Sequence, residues 1–408
     1  EVSLSEDDGA IILGKTNLSE WANYMDPCMP NGFSTLGGQT RNPYGPHETY
    51  GSSSGSGVAT GANLATVAVG SETSGSLIQP ARVNSVVGMR PSLGLVSRDY
   101  VVPLAPVVDT PGPIGRSVTD VALLLNALSG VDANDPTTAD AAALADTDFT
   151  LYLSLDEARK VRVGVVEPNA LVAKFLPAIK GALEAALGRA ATPKELVDAT
   201  NAMVLPNFGA LPKEAIAALS EQGIEYVVID DATLPPDSDT AWSLVKDGFK
   251  FGIADFFAAV GDTAPIRSVA DIVAINQEDL ANRAPYGQRS IEASANSATT
   301  PEEYAASVAA AQATADAWLS TVLEQNDVDI LVYNAFYATN AGGAGVPALT
   351  VPAGLDPNGR PQGIILTGPH LSDPQLIAVG YALEQALNGR VEPDLDSTIP
   401  LIDATIAQ

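Results

Sequence analysis

The stretch GSSSGSGVATGANLATVAVGSETSGSLIQPARVNSVVGMRPS, residues 51–92, decides how this chain folds. It carries two small-residue clusters, Gly51–Gly57 and Gly70–Ser76, separated by an apolar segment. Ala, Leu and Val across Val58–Val69 fall at helical spacing, which predicts a buried helix there. Such a helix would turn the chain back and bring Ser52 and Ser76 to one end of a sheet. Small residues leave room for a ligand and let backbone N–H groups point inward around an anion. The plain alternative is a pair of flexible surface turns. The residues that follow, Leu77-Ile78-Gln79-Pro80 and the strand-like Val83–Met89, argue for burial instead.

Outward from this stretch the pattern is α/β. Gly9–Leu13 (GAIIL) reads as a short buried strand, and Met25–Tyr50 as a loop rich in Gly, Pro and Asn. Ser117–Leu128 reads as an amphipathic helix with Ser117 as its N-cap. Residues 131–150 read as a surface connection. Val161–Val166, Ile224–Ile229, Asp329–Tyr333 and Ala348–Val351 read as strands, and Pro374–Ala386 as the last long helix. This alternation predicts a large mixed, mostly parallel twisted sheet flanked by helices, with a helical subdomain on the substrate side. The expected division is a core over 1–150 holding both clusters, a variable helical region over 151–325, and a return to the sheet over 326–408.

Composition excludes several function classes. A net charge of −28, with 21 Lys and Arg in 408 residues, argues against nucleic acid and against anionic membrane surfaces. Cys28 is the single cysteine and His47 and His370 are the only histidines, so neither a disulfide framework nor a metal centre is expected. No cofactor is expected, and no apolar run is long enough to span a membrane. The chain begins Glu1-Val2-Ser3 without methionine. The reading favours a soluble cytoplasmic protein and leaves secretion open; the oligomeric state is not readable.

Three motif matches compete with the serine clusters. Gly9–Thr16 fits the phosphate-binding loop pattern, but its four central residues are themselves the expected strand. Gly55, Gly57 and Gly61 approximate a dinucleotide fingerprint with the third glycine one residue late. Gly51-Ser52-Ser53-Ser54-Gly55 fits a nucleophile elbow around Ser53, with His370 available downstream. No strand is expected to end at Gly51, where that motif needs one.

The runs Gly51–Gly57, Gly70–Pro80 and Gly88-Met89-Arg90-Pro91-Ser92 resemble the amidase signature family, and within it the peptide-amidase branch. Gly14-Lys15-Thr16-Asn17 with Glu20, Gly38–Pro43, Asp109–Pro113 and Gly345–Gly354 extend the resemblance over nearly the whole chain; about 170–325 matches loosely. The resemblance implies a Ser–cis-Ser–Lys triad, with Ser76 as nucleophile and Ser52, after a cis bond at Gly51, as proton relay. It places the oxyanion hole on the backbone N–H groups of Thr73, Ser74 and Gly75, with Gly51 and Ser53 in support. Hydrogen-bond contact between the Ser52 and Ser76 side chains is expected. The implied reaction is cleavage of a small-molecule carboxamide, carbamate or ester through an acyl-enzyme. The family's lysine is expected upstream of the first residue given; Lys15 reads as structural. A truncated or inactive relative with a binding role is the alternative. Arg41, Arg82 and Arg116 are expected to brace loops, with Glu72 pairing one of them. Tyr24, Met25, Cys28 and Met29 line the substrate entrance or fill core, and Trp21, Trp242 and Trp318 read as core.

Overall fold

The computed structural model describes residues 9–196, 199, 212–235, 240–261, 263–333 and 343–406. Its strands are β1 (Phe33–Ser34), β2 (Gly38–Gln39), β3 (Val67–Glu72), β4 (Val87–Arg90), β5 (Thr110–Gly115), β6 (Val163–Glu167), β7 (Tyr226–Asp230), β8 (Ile330–Tyr333), β9 (Ala348–Leu355) and β10 (Pro361–Thr367). β1 and β2 make a small ribbon; the other eight form one sheet in the order β3-β5-β4-β9-β10-β8-β6-β7. Every residue of β4, β5, β8 and β10 is buried, because helices cover both faces of the sheet.

The main helices are α1 (Ser54–Gly61), α2 (Ile78–Val83), α3 (Val118–Leu128), α4 (Asn169–Leu187), α5 (Pro212–Gln222), α6 (Val245–Val260), α7 (Val269–Gln277), α8 (Arg289–Ala295), α9 (Pro301–Asn326), α10 (Asp373–Leu387) and α11 (Leu395–Ile406). On one face Leu125 and Leu128 of α3, Leu219 of α5 and Leu376, Ile377 and Leu383 of α10 pack on Met89, Val163, Leu349 and Ile364. On the other, Ile78 of α2 and Leu319 and Val322 of α9 pack on Val166, Leu331 and Ile365. Each fully buried Leu or Ile contributes about 1.5–3 kcal/mol. A separate core joins Tyr24, Met25 and Met29 to Phe249 and Ile253 of α6, Ile272 of α7 and Ile291 of α8.

The sheet is mixed, as expected, but it is not mostly parallel. Only β8–β6 and β6–β7 run parallel; the other five neighbouring pairs are antiparallel. Alternating helices and strands suggest crossovers, yet β9 and β10 are joined by a tight Asp356–Gly359 turn that imposes an antiparallel hairpin.

Three local expectations are also corrected. The helix expected over Val58–Val69 ends at Gly61: Asn63 turns left-handed (φ +60) and Val67 starts β3. The β-branched Thr66, Val67 and Val69 suit a pleated strand better than a helix. The strand expected from Val83 begins only at Val87, because α2 occupies Ile78–Val83 and Ser85 (φ +54) makes the turn between them. Gly9–Leu13 is neither strand nor buried. Among the described residues no strand pairs with it, and Ile11 and Leu13 face outward.

The boundary of α1 rests on close packing. A Cβ on Gly55 would lie 2.5–2.8 Å from the backbone N, C and O of Asn17, so only glycine fits where the two chains meet. Ser56 Oγ, one residue on, donates to the Val69 carbonyl (2.8 Å) and shares a hydrogen bond with Thr16 Oγ1 (3.0 Å). The helix is thereby fixed to β3 on one side and to the segment 16–19 on the other.

Candidate active site

Ser52 and Ser76 meet through the residue between them in space, Ser53. The Ser53 N–H donates to the Ser76 carbonyl (3.1 Å). Its hydroxyl donates to the Ser71 carbonyl and accepts from the Ser71 N–H, both at 3.0 Å. Those bonds spend the Ser53 hydroxyl on backbone, which removes it as a nucleophile. His370, the partner that an elbow at Ser53 would need, contacts the Leu93 carbonyl instead (2.9 Å).

The Gly51–Ser52 peptide is cis. The Ser52 carbonyl accepts from the Ser19 N–H (2.9 Å), and Ser19 Oγ in turn accepts from the Gly32 N–H (2.7 Å). Ser52 is 3% exposed, so its hydroxyl sits inside the protein, not on a surface turn. No hydrogen bond joins the Ser52 and Ser76 side chains, against expectation; the tie between the clusters is made by the backbone and by Ser53.

The turn from β3 to α2, residues 73–76, is braced on three sides. Arg90, fully buried at the end of β4, donates from Nη1 to the carbonyls of Glu72 (3.0 Å) and Thr73 (3.3 Å). Its Nη2 donates to the Val108 carbonyl (2.6 Å) and its Nε to that of Val346 (3.3 Å). Glu72 Oε2 accepts from the N–H groups of Leu77 (2.8 Å) and Ile78 (3.0 Å), closing the first turn of α2. Glu72 Oε1 lies 3.8 Å from Arg90 Nη1, so the partner of Glu72 is Arg90 and not Arg41, Arg82 or Arg116. Thr73 Oγ1 donates to Asp109 Oδ1 (2.5 Å), whose Oδ2 accepts from the Leu104 and Ala105 N–H groups (2.8 Å each). Burial pushes the Asp109 carboxyl up, against the pull of these hydrogen bonds.

Arg90 thus holds the Glu72 and Thr73 carbonyls at the start of this turn. Gly75 has φ +79, a conformation that costs other residues about 1–2 kcal/mol. Among the described residues the N–H groups of Thr73, Ser74 and Gly75 have no acceptor. Backbone N–H groups without a protein acceptor are the kind of donor that can stabilise an oxyanion.

Other expected residues fall elsewhere. Lys15 is exposed on an extended segment, and no lysine among the described residues hydrogen-bonds Ser52 or Ser76. The Gly14–Thr16 segment leads into no helix longer than one 3₁₀ turn, which removes the phosphate-loop reading. Arg116 braces through its N–H on Asp120 (3.0 Å), and Arg41 is exposed. Tyr24, Met25 and Met29 are core, with the Tyr24 hydroxyl bonded to Ser294 Oγ (3.0 Å); Cys28 is exposed. Trp242 is half-exposed, not core. Sequence reasoning gave no role to Arg90 or Asp109, although both lie in quoted motifs. Among the described residues no cluster of His, Cys, Asp and Glu could hold a metal ion, and no helix is long and apolar enough to cross a membrane.

Comparison with known proteins places this site in context. A family model described as Amidase matches residues 2–200. A probable amidase of Arabidopsis thaliana is 31% identical over 394 residues, covering 95% of this chain and 70% of that protein. Among solved structures, the native peptide amidase from Stenotrophomonas maltophilia superposes with a TM-score of 0.82 at 34% identity, covering 97% of this chain and 77% of that one. An amidase family protein from Bacillus anthracis superposes with a TM-score of 0.79 at 34% identity, covering 96% and 72%.

Proposed function

The chain belongs to the amidase family, with peptide amidases among its structural relatives, and from that premise we propose that Ser76 is the nucleophile of a carboxamide hydrolase. Ser76 Oγ attacks the amide carbonyl carbon, and the carbonyl oxygen moves into the N–H groups of Thr73, Ser74 and Gly75. Ser52 Oγ takes the Ser76 proton and hands it to the leaving amine. Water then attacks the acyl-enzyme, releasing the acid and restoring Ser76. Each well-aimed N–H in such a site is worth roughly 2.7–4 kcal/mol of transition-state stabilisation. A serine hydroxyl is a weak base, so the relay needs a neutral amine behind Ser52.

The observation that carries this reading is the pairing of Ser53 with Ser76, which sets residue 52 beside a turn whose carbonyls are held and whose N–H groups are free. The test is hydrolysis of an aryl amide by wild type, Ser76→Ala and Ser52→Ala. Ser76→Ala is expected to abolish turnover and Ser52→Ala to slow it sharply with little change in KM. Full activity in Ser76→Ala would sink the assignment.

A further inference from the structure

Two arginines are wholly buried beside the site, and the fold treats them in opposite ways. Arg90 directs its donors at four carbonyls and lies 3.8 Å from Glu72. Arg82, on α2, is 1% exposed; its Nε donates to Gln79 Oε1 (3.1 Å), and the Tyr50 side chain is the other polar group beside it. Arg82 Nη1 and Nη2 are buried with no hydrogen-bond partner, and among the described residues no carboxylate pairs with this guanidinium. Among the described residues the one charged or titratable group that faces it is Tyr50, whose ring lies 5.5 Å from Cζ.

A buried cation without an anion costs several kcal/mol. A ring at this distance returns about 0.5–2 kcal/mol. Burial accordingly drives the Arg82 guanidinium toward its neutral form, opposed only by Tyr50. The free edge is the one that matters chemically. With Nε fixed on Gln79, the plane of the group is set and Nη1 and Nη2 remain as a two-pronged donor, the geometry that matches the two oxygens of a carboxylate.

Both neighbours of Arg82 belong to the serine clusters. Tyr50 immediately precedes Gly51–Ser52, and Gln79 Cγ lies 3.4 Å from where a Cβ on Gly75 would be. Arg82 lies six residues after Ser76, within the short helix that follows it. The edge is thus flanked by Tyr50, which leads into the first serine cluster, and by Gln79, which packs toward the second. The chain as a whole carries a charge of −28, so an anionic ligand is favoured only where a cation is locally uncompensated.

We propose that Arg82 binds a carboxylate carried by the substrate, held across Nη1 and Nη2, and so selects amides of short dicarboxylic acids over neutral amides. The inference rests on the assignment of Ser76 as the amide-cleaving serine. Tyr50, half-buried, is the side chain that lies over this edge.

Calorimetric binding of succinamate and of its neutral counterpart succinamide to Ser76→Ala, which holds ligand without turnover, tests it. Succinamate is expected to bind at least tenfold more tightly, with the preference lost in Ser76→Ala/Arg82→Gln while succinamide binding is unchanged. Equal affinities, or a preference that survives Arg82→Gln, overturn it. Acetate that binds as tightly as succinamate also overturns it, since the site would then be an anion site without a link to the amide. Should Arg82→Gln fail to fold, the thermal midpoint of wild type decides: succinamate must raise it more than succinamide does, and equal shifts refute the proposal. Hydrolysis of succinamide separates this inference from the functional assignment. Ser76-dependent hydrolysis with no carboxylate preference defeats the inference alone, whereas hydrolysis that persists in Ser76→Ala defeats the assignment and the inference with it.

Discussion

Replacing Glu384 with glutamine should make the protein more stable above neutral pH and leave it nearly unchanged in acid. Glu384 lies on α10, the helix with the most buried residues on the main face of the sheet. Burial, with the negative charge of Asp120 adding to it, pushes its carboxyl up to about 7 from an ordinary value of 4.5; the hydrogen bond from the Val118 N–H (2.8 Å) opposes the shift. The native state thus holds this proton more tightly than the unfolded chain does. Below pH 4.5 both states are protonated and the group is neutral in its effect. As pH rises through 7 the unfolded chain ionises freely while the native state must ionise a buried group. Stability is lost over that window and levels off above it. At about 1.4 kcal/mol per pH unit of separation, the loss reaches about 3 kcal/mol by pH 8. Glu384→Gln keeps an oxygen to accept from Val118 and has no charge to bury. Urea unfolding followed by circular dichroism at pH 4.5, 5.5, 6.5 and 8, on both proteins, isolates the effect, because all other titrations cancel in the difference. A variant advantage that opens between pH 4.5 and 7 is expected. Parallel curves across the whole range, or a variant that is less stable at pH 8, would refute the reasoning.

Thr73→Val should cost about 1–3 kcal/mol, because it leaves Asp109 Oδ1 buried without its hydroxyl donor; thermal unfolding measures it, and a neutral result would count against the brace. Gly75→Ala should cost about 1–2 kcal/mol at φ +79 and lower kcat for amide hydrolysis about 100-fold with little change in KM; an unchanged kcat would dissociate this turn from catalysis. Asp26, held well below the usual carboxylate range by Arg289, which donates from Nη2 to Oδ1 (2.7 Å), contributes stability above that range and loses it as pH falls. The thermal midpoint of Asp26→Asn should therefore fall less steeply than that of wild type between pH 5 and pH 2, and equal slopes would argue otherwise.

Some of this architecture is written locally and some is not. Ser117 and Asp120 spell a reciprocal cap, and α3 begins where they say it does. The serine clusters were legible for a similar reason, since small residues at fixed intervals mark places where backbones meet. Strand direction is a non-local property: nothing inside VGMR or TPGPIG states which way its neighbour runs. The Asp356-Pro357-Asn358-Gly359 turn was the one local sign of an antiparallel pair. Arg90 and Asp109 were visible as residues but not as braces, because a side chain's partners (Glu72, Thr73, Val108 and Val346 for Arg90) are chosen by folding from three distant segments. Gly9–Leu13 failed for the same cause, as an apolar run becomes a strand only where another strand accepts it.

The contact between Gly55 and Asn17 has a mechanical consequence. Side chains are the soft parts of a packed interior, since they hop rotamers and absorb small displacements. Here main chain lies on main chain with none between, so the joint has no spring. A push on segment 16–19 reaches α1 and the serine before it undamped, and thermal motion of the two should be correlated as in a single rigid lever. A stretch that reads as slack, GSSSGSG, is in that sense a stiff coupling.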